Sequence, residues 1–376
     1  MVGGSTRECR IGPFEGDRVT TALVLGKFYP PHPGHLHLLS VALASHERVA
    51  LLCLGSSQES FTPQRRLQAL MEDARAAALD VFRIIPRSGL DEAPFDLDDE
   101  ACWQSHLGVF VAHLHGLPRL DAVVTSESYG VELARRLGIR HVACDLRRVR
   151  VPLSATAIRA DPIGHWGFLG PGTRAMLAAR VVLLGAESTG TSTVAMQLVQ
   201  RLRTRGTPWD ETRLVEEYGR ELTIRKQELQ RTRIGKQDIS VTWHADDFAE
   251  VAAVQAARED EAARAGSPVL VCDTDAFATP TWERRYLSTG ARLNAGDHGL
   301  GDVYLLTSHE GVPFVQDGTR DGEHLRAGMT INFTQELIRH GRPWAMLTGP
   351  LGQRLDLAER ITDRIVQRKL AFASPP

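Results

Sequence analysis

The chain has 376 residues, 43% hydrophobic and 24% charged, and its 44 Lys and Arg against 46 Asp and Glu leave a formal charge of −2. That length suits two domains better than one, and the balanced charge excludes a broadly basic surface for nucleic acid or acidic lipid. No apolar run approaches the ~20 residues of a bilayer span and no cationic-then-apolar leader opens the chain, so a cytoplasmic protein without a membrane partner is expected. The scattered cysteines Cys9, Cys53, Cys102, Cys144 and Cys272 include no Cys-x-x-Cys pair, which predicts neither a disulfide framework nor a zinc site.

After a tail over residues 1–19, the apolar run 22–25 predicts a buried strand that breaks into Gly26-Lys27-Phe28-Tyr29-Pro30-Pro31-His32-Pro33-Gly34-His35. A strand, a Gly/Pro-rich turn and a helix start aim backbone N–H groups at an anion, and the two histidines add side-chain donors. Strands follow over residues 49–54, 82–86, 122–125 and 141–144, separated by helices over 64–79, 102–115 and 131–137. This alternation predicts an α/β fold with a doubly wound parallel sheet, whose ligands sit at the carboxyl ends of the strands. Arg65 and Arg66 read as a solvated helix face, and His113 and His115 as surface residues. Trp103 reads either as core or, with Phe28, as a wall of a flat apolar slot.

Further on, Val151-Pro152-Leu153-Ser154-Ala155-Thr156-Ala157-Ile158-Arg159 sets hydroxyls at the start of a short helix with an arginine one turn in, a second anion cradle. A Gly/Pro-rich passage over 164–172 then leads to a strand over 180–184 that runs into Gly185-Ala186-Glu187-Ser188-Thr189-Gly190-Thr191-Ser192-Thr193. This has the spacing of the phosphate-binding loop G-x-x-x-x-G-K-[ST], with Thr191 where the lysine stands. Arg320 and Arg326, predicted on a mobile lid, are candidates to replace the lost charge. A strand over 269–272 ends at Asp273-Thr274-Asp275, and these carboxylates with Glu217 are candidates for a general base and, with Ser192, for magnesium coordination. The other reading of Asp273 and Asp275, a simple strand-end cap, is less expected after a strand that pairs with the strand of the phosphate loop.

His32-Pro33-Gly34-His35 resembles the His-x-Gly-His signature of nucleotidyltransferases, and Leu153-Ser154-Ala155-Thr156-Ala157-Ile158-Arg159 resembles their Ile-Ser-x-Thr-x-x-Arg motif. Added to these are Thr125-Ser126-Glu127-Ser128-Tyr129-Gly130, Asp161-Pro162, Trp166-Gly167-Phe168, Glu217-Tyr218-Gly219-Arg220-Glu221, Trp243, Asp247-Phe248, Gln255 and residues 312–318. With them, nearly the whole chain resembles the bifunctional nicotinamide-nucleotide adenylyltransferase and ribosylnicotinamide kinase family. The resemblance implies a Rossmann-like nucleotidyltransferase domain over 20–165 and a P-loop kinase domain over 166–376. It implies adenylyl transfer from ATP to nicotinamide mononucleotide, giving NAD and pyrophosphate, and phosphorylation of nicotinamide riboside, both with Mg2+.

On that resemblance His32 and His35 hold the ATP phosphates, Lys27 screens the two anions, and Ser154, Thr156 and Arg159 take the pyrophosphate. Gly26, Phe28 and Gly34 line the same nucleotide site, with Glu127, Tyr129 and Trp103 toward the nicotinamide. Gly185, Glu187, Ser188, Gly190, Thr191, Ser192 and Thr193 form the second nucleotide site, beside Tyr218 and Arg220 for the riboside. No helix-turn-helix fits in residues 1–19, so nucleic acid is not an expected partner, and a homo-oligomer is compatible with the sequence. The Thr191 departure keeps an alternative open, a monofunctional adenylyltransferase whose second domain only binds or senses nucleotide. A sensor at both sites, or another phosphate-bearing substrate such as phosphopantetheine, fits the motifs less well.

Overall fold

A computed structural model describes residues 19–94, 96, 98–234, 241–287, 293, 301–316 and 322–373. The first unit alternates β1 (Thr21–Gly26), α1 (Pro33–Ser45), β2 (Arg48–Gly55), α2 (Pro63–Ala76), β3 (Ile84–Leu90), α3 (Glu100–Leu114), β4 (Ala122–Thr125), α4 (Gly130–Leu137), β5 (Arg140–Ala143) and α5 (Ala155–Ala160). Its strands pair in parallel in the order β3-β2-β1-β4-β5. Chain order therefore reverses between β1 and β4, the point at which such sheets open a ligand crevice. β1 shows the burial pattern behind this layering. Ala22 and Val24 pack with Leu39 of α1 and Leu70 of α2, whereas Leu23 and Leu25 pack with Trp103 of α3 and Leu133 of α4. A strand covered on both faces needs apolar residues at every position, and each large buried side chain contributes about 1.5–3 kcal/mol.

The second unit follows with α6 (Pro171–Leu177), β6 (Ala179–Gly185), α7 (Thr191–Arg203), β7 (Arg213–Val215), α8 (Tyr218–Ile234), α9 (Ala245–Ala265), β8 (Val269–Asp273), α10 (Thr279–Tyr286), β9 (Val303–Thr307), α11 (Arg326–Arg339), β10 (Trp344–Leu347) and α12 (Leu351–Lys369). Its parallel sheet runs β10-β9-β6-β8-β7, with β6 central. The chain is thus an α/β protein of two doubly wound parallel sheets. Among the described residues no helix is long and apolar enough to cross a membrane. Cys53, Cys102, Cys144 and Cys272 are buried free thiols, and Cys9 lies outside the described residues.

One strand differs from its expected place. β3 begins at Ile84 and not at Phe82, because the Asp80 carboxylate accepts from the Phe82 amide at 3.2 Å and holds residues Val81–Arg83 in a 3-10 turn. Phe82 is left 98% exposed.

The Gly/Pro-rich passage between the units is a packed joint. Trp166 is buried and its indole N–H donates to the Gly266 carbonyl at 2.9 Å. Buried Asp73 on α2 accepts from the amides of Gly172 and Thr173 at 2.7 and 3.2 Å and from the Thr173 hydroxyl at 2.5 Å. Burial raises the Asp73 carboxyl's pKa, and these donors pull it back toward the ionised form. Gly172 sits where the helices cross, and a Cβ there would meet the Ala69 carbonyl at 2.5 Å and the Glu72 Cβ at 2.6 Å. Gly172→Val is expected to cost about 1–3 kcal/mol through overpacking. Denaturant unfolding checks this, and a wild-type midpoint would show that α2 and α6 do not cross this closely.

Candidate functional site

Two clefts open at the carboxyl ends of the two central strands. The first, about 650 Å³, is lined by the β1–α1 loop, the end of β4, and residues 145–159. The chain leaves β1 at Gly26, turns through Phe28 in the left-handed region (φ 46°), and enters α1 with His32 as N-cap. The Gly34 amide donates to His32 Nδ1 at 3.0 Å, and the His32 amide donates to His35 Nδ1 at 3.2 Å. Both Nδ1 atoms are therefore acceptors, which puts the ring proton of each neutral imidazole on Nε2. The rings lie together with centroids 3.7 Å apart, and the His35 ring rests on the edge of Phe28 at 4.9 Å. Gly34 is required by the same packing, since a Cβ there would stand 2.7 Å from the His32 ring.

Burial, with the positive charge of Arg148 second, pushes His32 down from 6.5 to about 4. His35 is held well below 6.5 by burial, then by His32 and Arg148. Near pH 7 the pair is a set of two neutral N–H donors.

The loop is secured from behind. Arg66 and Glu59 form an ion pair at 2.7 Å with both side chains fully buried, and Arg66 Nη1 donates to the Lys27 carbonyl at 2.7 Å. Gly55 admits this pair, because a Cβ would meet Arg66 Nη2 at 2.0 Å. Lys27 Nζ lies 3.3 Å from the same Glu59 carboxylate with its side chain 55% exposed at the cleft. Arg159 Nη1 donates to the Tyr29 carbonyl at 2.6 Å, and Nη2 donates to the Thr156 hydroxyl at 3.1 Å. Ser154 lines the cleft, but its Oγ caps α5 by accepting from the Ala157 amide at 3.1 Å. Glu127 and Tyr129 also line it, with Glu127 paired to Arg148 at 2.8 Å. Trp103 is both core and wall, 6% exposed and stacked under Arg136 at 4.8 Å.

The second cleft, about 180 Å³, surrounds residues 185–193. Ser188 and Gly190 take positive φ, 57° and 86°, which turns the loop into α7. Buried Arg326 donates to the carbonyls of Ser188, His309 and Val312 at 3.1, 3.2 and 2.9 Å, and buried Arg354 donates to the Thr189 carbonyl at 3.1 Å. Thr191 lines the cleft with its hydroxyl in a threonine cluster. Its hydroxyl stands 3.2 Å from those of Thr189 and Thr307, which are themselves 2.7 Å apart. Gly185 makes room for this cluster, since a Cβ would meet the Thr307 hydroxyl at 2.2 Å.

Asp273, at the end of β8, is 8% exposed. Burial raises its pKa, while a hydrogen bond from the Ser192 hydroxyl and the charge of Arg220 lower it. Glu217, Arg220, Trp243, Phe248, Trp282 and Tyr286 line the same cleft. The rings of Trp243, Phe248 and Tyr286 lie at 28° to 33° to one another with centroids 5.1 to 6.3 Å apart, a wall of nearly parallel aromatic faces.

Several expected roles do not survive this geometry. Arg326 is not a lid residue, because it is 7% exposed and its guanidinium is bound to loop carbonyls; Arg320 lies outside the described residues. Tyr218 is buried with its hydroxyl on Glu250, so it faces α9 and not a riboside. Asp275 lines the second cleft but accepts from the Tyr304 hydroxyl at 2.8 Å and the Phe277 amide at 3.0 Å, as in the less expected strand-end cap, and burial raises it to about 6. Glu187 keeps its place in the lining of the second cleft, paired there with Arg285 at 2.6 Å. Arg66 is no solvated residue, and Phe28, 2% exposed, is a support for His35 more than a slot wall. Sequence reasoning passed over Glu59, Arg148 and Arg354, for which no local pattern exists. The motif that holds Trp243 and Phe248 carries no sign in its spacing that the two rings face one another.

Two strand-to-helix loops, each leaving the central strand of its own sheet, define a nucleotidyltransferase-type unit joined to a P-loop unit. Residues 180–354 match the family model described as an AAA domain. Over 325 residues the chain is 24% identical to the trifunctional NAD biosynthesis/regulator protein NadR of Escherichia coli (strain K12), covering 82% of this chain and 73% of that protein. Over 143 residues it is 30% identical to the nicotinamide-nucleotide adenylyltransferase of Thermococcus onnurineus (strain NA1), covering 36% of this chain and 69% of that enzyme. The crystal structure of NadR protein in complex with NAD and AMP-PNP shares the fold, with a TM-score of 0.60 at 19% identity over 92% of this chain and 96% of that one. The chain belongs to the nicotinamide-nucleotide adenylyltransferase family and, over both units, is of the NadR type.

The depressed histidines have a consequence for stability. The unfolded chain takes up a proton at His32 near 6.5 and the native chain does so only near 4, so stability rises with pH across that window and is lost as pH falls through it. His32 alone accounts for a loss on the order of 3 kcal/mol by pH 4. Urea unfolding between pH 7 and pH 4 is expected to show a steeper fall for wild type than for His32→Gln. Equal slopes would show that the native ring is already protonated.

Proposed function

We propose that the first cleft transfers the adenylyl group of ATP to nicotinamide mononucleotide, giving NAD and pyrophosphate. A phosphate oxygen of the mononucleotide attacks the α-phosphorus, and the bond from that phosphorus to the oxygen bridging to the β-phosphate breaks. No protein nucleophile is required, because a phosphate monoester is already an anion at neutral pH. The protein's task is to align two anions and to meet the charge that moves onto the leaving group. The observation that supports this reading most is the pair of Nε2–H donors, fixed by main-chain amides at the end of β1. His32 and His35 hold the α and β phosphates, Lys27 screens the two substrates, and Thr156 and Arg159 receive the pyrophosphate. His32→Ala is expected to lower kcat/KM by roughly 10²–10³, the scale of one lost oxyanion donor. A wild-type value would remove the histidine pair from the mechanism.

For the second cleft the reading is phosphorylation of the 5′-hydroxyl of nicotinamide riboside by ATP, whose product is the substrate of the first. The aromatic wall of Trp243, Phe248 and Tyr286 suits the flat nicotinamide ring. Ser192 and Asp273, a hydroxyl and a carboxylate in hydrogen-bond contact at the loop, suit Mg2+, which when bound with ATP neutralises triphosphate charge. Glu217, lining the cleft with Arg220, is then the carboxylate left to orient the riboside hydroxyl. A second reading, nucleotide binding or sensing without transfer, is favoured by the Thr191 side chain, which brings no cation and turns into the threonine cluster.

One assay separates the two. Purified protein with MgATP receives either the mononucleotide or the riboside, and NAD, mononucleotide and pyrophosphate are followed. NAD from both substrates supports two working sites; NAD from the mononucleotide alone selects the binding-only reading; NAD from neither sinks the proposal. With both sites active, Asp273→Asn is expected to reduce riboside phosphorylation by roughly 10³ and to leave mononucleotide adenylylation unchanged.

A further inference from the structure

The end of the second unit returns to the first unit's phosphate loop. Beyond α12, the Phe372 ring stands edge-on to Tyr29 at 5.4 Å and 5.9 Å from Phe61. The Tyr29 hydroxyl donates to the Ala373 carbonyl at 2.8 Å and accepts from the Ser60 amide at 3.0 Å, and the Ala373 amide donates to Ser60 Oγ at 2.7 Å. Tyr29, Phe61 and Phe372 are all buried, and they belong to the same apolar cluster as the second unit's sheet, not to the core of the first.

Tyr29 in turn organises the first cleft. Its carbonyl accepts from Arg159, and its ring lies 5.5 Å from the Arg159 guanidinium and 5.0 Å from that of Arg66. Of these, Arg159 lines the cleft and Arg66 holds the Lys27 carbonyl. We propose that Phe372 and the Ala373 main chain are positioning elements for the first reaction: the second unit supplies the contacts that fix Tyr29, and through Tyr29 the arginine that receives the leaving phosphates. The inference rests on the adenylyl-transfer reading of the first cleft. It makes that cleft incomplete without residues more than three hundred positions away, although nothing in those residues touches substrate.

The test uses the full chain with nicotinamide mononucleotide held constant and MgATP varied. Phe372→Ala is expected to raise KM for ATP about tenfold with a smaller fall in kcat, because misplacing Arg159 weakens the grip on the phosphates. Phe372→Tyr, which keeps the ring edge, is expected to restore both constants, and nucleotide binding at the second cleft is expected to stay at the wild-type level in each variant. Ser60→Ala removes only the acceptor for the Ala373 amide and covers the case in which Phe372→Ala fails to fold; its KM for ATP is expected to rise about threefold. Wild-type kinetics in the folded Phe372→Ala protein, or in Ser60→Ala, would overturn the inference. So would an equal loss at both clefts, which marks general destabilisation. Absence of NAD formation by the unaltered chain identifies a different failure, that of the adenylyl-transfer reading.

Discussion

A loop that points its amides at an anion must point carbonyls back into the protein, where water cannot reach them. Arginine answers that demand at both clefts. Arg66 and Arg159 bind the carbonyls of Lys27 and Tyr29, while Arg326 and Arg354 bind those of Ser188 and Thr189. A guanidinium carries several donors in a fixed plane and stays charged when buried, so it can tie main-chain oxygens from different segments into one arrangement. Arg326 does this for Ser188, His309 and Val312 together. Removing such a group would leave carbonyls unsatisfied and loosen the amides on the other side of the same peptides. The preorganisation of both sites rests on these contacts.

The same logic explains how charge is distributed around the first cleft. Glu59 neutralises Arg66 and engages Lys27, so the buried arginine can hold the loop without placing an uncompensated charge in the interior. The histidines present N–H groups and no net charge near pH 7. The positive charge of the first cleft comes from Lys27, Arg148 and Arg159 in its lining. In the second cleft the hydroxyls of Thr189, Thr191 and Thr307 cluster at the loop, and Arg220 is the one cation among the described lining residues. The two loops therefore share their place at the end of a central strand and differ in backbone conformation and in electrostatics. Between them the Asp73 joint on one side and the Phe372 contact on the other hold the units in one arrangement.

Motif-level features proved readable because they are local. The His32–His35 spacing, the hydroxyl at Ser154, the glycine spacing of residues 185–190 and the acid after β8 each depend on a few neighbours along one strand-to-helix turn, and each lies where the spacing put it. The misplacements share a cause. Arg65 and Arg66 are adjacent on α2, yet one is exposed and the other fully buried, because α2 turns by about 100° per residue and Arg66 meets Glu59 beneath the loop. Tyr218 and Arg220 sit two apart at the start of α8, which sends one toward Glu250 and the other into the cleft. Arg326 looked mobile because it follows a Gly/Asp-rich stretch, but it opens α11 and is covered by three carbonyls.

The sequence by itself determined the fold class, the two phosphate loops and their order, and the departure at Thr191, since hydrophobic period and motif spacing are properties of consecutive residues. Only the tertiary structure decided which arginines hold loop carbonyls and which line a cleft, that Asp275 caps a turn while Asp273 meets Ser192, and that Tyr29 is held by Ala373. Those outcomes depend on which groups meet from separate segments of the chain, 29 residues apart for Asp275 and Tyr304 and 344 apart for Tyr29 and Ala373. A guanidinium or carboxylate has the same chemistry in either role until its neighbours, its burial and its remaining hydrogen-bond capacity are set by packing.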